Sequence, residues 1–170
     1  FSFYGELNEI IQEEPEDSLG PDTMGLFNAV GLVKGKPFSP DASTKRMLSD
    51  SASMGNAVAR SIVFRHRVEG ARLYPDAHWN TPLVAGGDPW LTPGGAGNLN
   101  ARTLFFYAAA VNTPAMSVAT PGAGTQYASS NLDLLARPFD GERTYRLRVP
   151  ANVPVKDFWS VALYDTQTRS

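Results

Sequence analysis

The chain contains no cysteine and only two histidines among its 170 residues. The first absence excludes disulfides, thiolate zinc clusters, iron–sulfur centres and a cysteine nucleophile. It leaves the redox compartment open, because secreted and cytosolic proteins can both lack cysteine. An excess of basic charge is missing too. Fifteen Lys and Arg face seventeen Asp and Glu, for a formal charge of −2, which argues against a polyanion, and so against nucleic acid, as the main partner. Long apolar runs are also lacking. The longest candidate, Leu104 to Val111, falls far short of the roughly 20 residues that a helix needs to cross a bilayer.

What is present is an ordinary globular composition, 42% apolar and 19% charged. A chain of this length should bury roughly 70% of the surface its unfolded form exposes, so it can build a core without metal or disulfide support. Charge is unevenly spread. The segment from Phe1 to Asp22 holds seven acids and no base, which reads as a solvated acidic helix region. The first residue is Phe rather than Met, no leader pattern follows it, and the chain stops at Ser170 just after a strand-like run. These ends suggest an internal fragment.

The first half reads as helical. Phe3, Leu7, Ile10 and Ile11 recur at helical spacing, interleaved with polar residues, and Pro15 stops the pattern. Gly20-Pro21-Asp22 predicts a second start, with Met24, Phe27 and Val30 as its buried stripe and Gly31 and Gly35 ending it. Ser39-Pro40-Asp41 predicts a third, with Ser39 capping, Pro40 in the first turn and Asp41 complementing the dipole. Leu48, Ala52, Gly55, Ala59 and Ile62 then form one stripe. Its small members predict tight packing on a neighbour, the usual reason to accept the propensity cost of about 1 kcal/mol that glycine carries relative to alanine in a helix.

From Tyr74 to Asn98 turn signals dominate, among them Asp88-Pro89, Thr92-Pro93-Gly94-Gly95 and Gly97-Asn98. Connections this long are functional or pinned by aromatics such as Trp79 and Trp90. Asn100 is expected to cap a helix from Ala101 to Val111, closed by Thr113-Pro114. Beyond it the period changes to two: Tyr145, Leu147 and Val149 alternate with Arg146 and Arg148, predicting a half-buried strand, with Leu132 to Leu135 as its hairpin partner. Phe158 to Tyr164 is apolar on both faces and predicts a central strand. The organisation expected is a helical segment over residues 1–70, a long loop over 71–99, and a helix plus the start of a sheet domain over 100–170.

Chemistry is sparse. No His or carboxylate pair falls at ligand spacing on a helix face, so no metal and no cofactor is expected. Neither a Gly-x-Ser-x-Gly elbow nor a phosphate loop occurs, and Gly31 to Gly35 with Lys34 and Lys36 lacks the spacing of one. His66, between Arg65 and Arg67, reads as part of an exposed basic helix end; His78, beside Asp76 and Trp79, is the better candidate for a general base or ligand contact. Arg143, Arg146 and Arg148 read as a solvated strand face without stacking partners. The wide aromatics Tyr74, Trp79 and Trp90, with Arg102 and Tyr107 on the following helix, could line a small-molecule or glycan site or could staple the long loop.

Several strings together resemble a known family. These are the run from Gly31 to Asp41, Asn100 to Tyr107 with Thr113 to Met116, Asp140 to Pro150, and above all Pro154-Val-Lys-Asp-Phe-Trp-Ser-Val-Ala-Leu-Tyr-Asp165. They are similar to bacterial proteins in which domain of unknown function 1254 is joined to domain of unknown function 1214. The resemblance covers nearly the whole chain. It implies a much longer polypeptide exported to the bacterial envelope, periplasmic or secreted, built of β-sandwich or jelly-roll-like domains with helical additions. This chain departs from the pattern at Phe106 to Val111 and at Ser129 to Pro138, and the resemblance assigns no catalytic residue.

Together these readings predict an α+β fold: a helical N-terminal half feeding a mostly antiparallel β-sandwich, incomplete in this chain and completed by missing sequence or by a homo-oligomeric neighbour. The function expected is a structural or ligand-binding envelope protein, with the aromatic loop contacting a small molecule or glycan. A hydrolase using His78 with Asp76 or a distant carboxylate is the alternative, and a purely architectural module the third.

Overall fold

The computed structural model describes residues 2–65, 68–84, 90–109, 120, 122 and 125–168. His66, Arg67, Asp88, Pro89, Val111, Thr113, Pro114 and Met116, invoked above, lie outside the described residues. Among the described residues four helices follow in order: α1 (Ser2–Glu13), α2 (Pro21–Ala29), α3 (Ala42–Phe64) and α4 (Leu99–Ala108). The chain divides into two compact units, Phe1–Val58 and Ala59–Ser170.

In the first unit, α1 ends two residues before Pro15, and α2 begins with Pro21 after Gly20 in extended conformation. Proline suits this place, since its missing N–H would be unpaired there in any case. At the other end of α2, Leu32 N donates to Phe27 O and Gly31 N to Asn28 O, with Gly31 at φ +88°. This pair of bonds closes the helix, and glycine takes the left-handed turn without a Cβ clash. The connection then clasps α1. Gln12 Nε2 donates to Val33 O, Gln12 Oε1 accepts from Gly35 N, and Lys34 Nζ donates to the carbonyls of Ile11, Gln12 and Glu14. The ammonium thus satisfies carbonyls left open at the negative end of α1. Ile11, Leu32 and Leu48 are buried in this unit. The stripe expected on α2 is not: Met24, Phe27 and Val30 are only partly covered, because nine residues expose too little apolar face to form a core of their own.

α3 starts later than expected. Asp41, not Ser39, is the capping residue, its Oδ1 accepting from Thr44 N at 2.7 Å. That bond is the main reason the Asp41 carboxyl sits below its usual pKa. Tight packing at Gly55 is also overturned, since a Cβ placed there would meet nothing within 4 Å.

The second unit is built around a cluster of Val63, Val68, Ala71, Val84, Trp90, Ala101, Leu104 and Phe105. α4 is capped by Asn98 rather than Asn100, with Asn98 Oδ1 accepting from Ala101 N at 3.0 Å. Leu104 and Phe105 lie in the cluster, while Leu99 is exposed.

The β-sandwich is not found. Among the described residues there is no sheet, and the only strand-like pairings are four isolated antiparallel bridges. Leu132, expected to lead the hairpin partner of the 145–149 strand, bridges instead to Pro138. Asp133 explains why: its N–H reaches Arg137 O, its carboxylate binds the Arg137 side chain, and Ala136 turns at φ +58° between them. Residues 144–150 and 158–165 run without turn or bend, yet no backbone hydrogen bond joins them to a partner among the described residues. Leu147 is 46% exposed, Phe158 82% and Leu163 92%. Alternation and apolarity suit these segments to a pleat, but a strand exists only where a second backbone takes up its N–H and C=O groups.

Candidate functional site

The histidine and aromatics singled out between residues 74 and 79 lie on one closed turn. Pro75 and Asp76 form its tip, with Ala77 N donating to Tyr74 O. Below the tip, Leu73 N donates to Trp79 O at 2.9 Å, Thr81 N donates to Ala71 O at 2.8 Å, and Arg72 bridges Asn80. Asn80 anchors the turn. It is 3% exposed, its Nδ2 donates to His78 O, and its backbone exchanges hydrogen bonds with Ser129 at 2.8 and 2.9 Å. A buried amide is tolerated there because its Nδ2 and both its backbone groups are engaged.

At the edge of this turn Arg72 Nη2 lies 3.2 Å from His78 Nδ1. A guanidinium carries only donors, so Nδ1 accepts and the ring proton resides on Nε2. The other ring nitrogen is therefore a donor. Asp76, the nearest acid in sequence, makes no ion pair with either residue; the two ion pairs among the described residues are Asp133–Arg137 and Asp140–Arg143. The carboxylate needed to orient His78 as a general base is thus not at Nδ1.

The other aromatics go elsewhere. Trp90, at 3% exposure, packs against Phe105 and Phe106 with centroids 5.2 and 5.3 Å away, and Arg102 lies over the Phe106 ring at 5.9 Å. Tyr107 meets Phe64 edge-on at 5.7 Å, and its hydroxyl accepts from Arg60, whose other hydrogen bond reaches Thr166 O. No ring contact joins Tyr74 or Trp79 to Trp90 among the described residues. The structure therefore brings together Tyr74, His78 and Trp79, and builds Trp90 into the core. Tyr74 is 58% exposed and Trp79 half-buried.

Sequence reasoning missed Arg72, Asn80 and Ser129. Arg72 could have been found from the Arg72-Leu73-Tyr74 alternation leading into Pro75-Asp76, which places residue 72 across from the residues after the turn. Asn80 and Ser129 are 49 residues apart, and no local signal connects them.

An open cavity of about 410 Å³ in the first unit, lined by Val30, Phe38, Pro40, Thr44 and Met47 among others, has no charged side chain in its wall. Groups of acids and histidines able to hold a metal do not occur among the described residues. No described helix is long and apolar enough to cross a membrane.

Ser129 lies in the part of the chain that decides the comparison with known families. Residues 124–170 match the model described as protein of unknown function (DUF1214). The DUF1214 stretch carries the Asp133–Arg137 turn, the unpaired apolar segments and the backbone that Asn80 holds. No match to a curated protein was found.

Proposed function

We propose that this chain is a non-catalytic module that binds a small molecule or glycan through the turn from Arg72 to Asn80. The observation that carries the reading is Tyr74, an exposed ring on a turn whose backbone is closed at Leu73–Trp79 and Ala71–Thr81. An aromatic face held by a rigid backbone, with half-buried Trp79 and the His78 Nε2–H donor beside it in the chain, is the combination that stacks on a sugar face and orients its hydroxyls. Trp90 serves the staple that keeps the loop on α4.

Calorimetric titration of the full chain with neutral mono- and disaccharides tests the reading. Saturable binding that Tyr74→Ala abolishes supports it; saturable binding to none of them, or binding indifferent to Tyr74, overturns it. Residence in the bacterial envelope, which the family resemblance implies, and homo-oligomerisation, which would cover Phe158 and Leu163, belong to the same proposal. Cell fractionation and sedimentation equilibrium are their respective checks.

A further inference from the structure

The ligand's charge can be read from the donors at the same turn. We infer that the Arg72–His78 edge selects an oxyanion, so that the ligand is an acidic saccharide carrying a carboxylate, as in a uronic acid; this rests on the saccharide reading of Tyr74 above.

A guanidinium has five N–H donors in a planar fork. Arg72 directs Nη2 to His78 Nδ1 at 3.2 Å and Nη1 to Pro75 O at 3.5 Å, and its side chain is exposed. The second contact is too long to hold its donor firmly. Donors therefore remain for a ligand. Because Nδ1 is taken by the guanidinium, His78 adds a second donor at Nε2 rather than an acceptor. An edge made only of donors fits a group made only of acceptors, which an ionised carboxylate is and a sugar hydroxyl is not. The charge of Arg72 is also available: it makes no ion pair among the described residues, Asp76 in the same turn included. Arg72 and His78 cross-brace the base of the turn that carries Tyr74 next to its Pro75–Asp76 tip, so a sugar ring stacked on Tyr74 would lie on the same short turn as the fork.

The test is calorimetric titration of the intact chain at low ionic strength with D-glucuronate, D-glucose and inorganic phosphate. Glucuronate is expected to bind at least about tenfold more tightly than glucose, as a charge-assisted hydrogen bond outweighs a neutral one. Arg72→Gln should bring glucuronate down to the glucose level without weakening glucose, and Tyr74→Ala should weaken both. Arg72→Lys keeps the charge without the fork and should retain only part of the preference, which serves if Arg72→Gln does not fold. Equal affinity for glucuronate and glucose overturns the oxyanion inference and leaves the saccharide reading standing. Phosphate matching glucuronate, with Tyr74→Ala without effect, overturns it as a bare anion site. Failure of both sugars to bind removes both readings.

Discussion

Trp90 packs against Phe105 with ring centroids 5.2 Å apart and the planes tilted by 51°, and it does so from a backbone held at φ +54°. A bulky residue in the left-handed region is strained, and such strain persists only where its surroundings offset it. Here the ring is buried between Phe105 and Phe106, while Trp90 O accepts from Asn98 N, next to the first turn of α4. Loop, helix cap and core thus meet at one residue. Trp90→Ala is expected to destabilise the second unit by about 3–5 kcal/mol, the usual cost of emptying a buried aromatic position. Trp90→Phe should cost clearly less. Denaturant unfolding followed by circular dichroism checks both, and an alanine cost under about 1 kcal/mol would contradict the core assignment.

Asn80→Ala removes the Nδ2 bond to His78 O but leaves the backbone pairing with Ser129. The expected loss is about 1 kcal/mol, concentrated in the turn. Amide hydrogen exchange at Leu73 and Ser129 should quicken in the variant, while exchange in α4 changes little.

Acid should weaken the 131–139 turn in a defined window. Hydrogen bonds from the Arg137 side chain, then from the Arg137 and Leu135 backbone, hold the Asp133 carboxyl below its usual value of 3.8. A carboxyl whose folded pKa is lowered contributes stability that is full above the unfolded value and is lost as pH falls through the folded one. The matching rise at Arg137 acts only at extreme alkaline pH. Asp41 and Asp165 are lowered as well, by backbone donors at Thr44 and Thr168, so the informative quantity is a difference. Between about pH 5 and pH 2 the urea midpoint of the native chain should fall further than that of Asp133→Asn. Parallel curves would show that the pair adds nothing.

In the monomer at high dilution, Phe158→Ser should leave thermal stability within about 0.5 kcal/mol, as surface substitutions do, because the ring is 82% exposed in the single chain. It should also raise solubility, since unpaired apolar segments are templates for association. A loss of several kcal/mol in the dilute monomer would mean that the side chain is covered within its own chain.

Helices were largely legible in the residues, because their signals are local. Pro15, Pro21, Gly31 and the Pro40-Asp41 pair each act within a turn or two of where they stand, and α1, α2 and the long α3 follow from them. Caps were legible in kind but displaced by two residues, from Ser39 to Asp41 and from Asn100 to Asn98, since neighbouring polar residues compete and the packing of the first turn chooses between them. The candidate site was legible in part. Its aromatics were visible, but not that Trp90 turns inward while Tyr74 stays out.

Composition and local order alone determined that this chain has no thiol chemistry, where its helices begin and end to within a few residues, and which side chains share a face. Tertiary structure decided that Asn80 seats Ser129, that Arg72 rather than a carboxylate faces His78, and that the alternating segment from Tyr145 to Val149 pairs with no strand among the described residues. The physical reason is range. A cap or a glycine turn is satisfied by atoms a few residues away, whereas a strand or a buried amide depends on a partner that chain distance does not name.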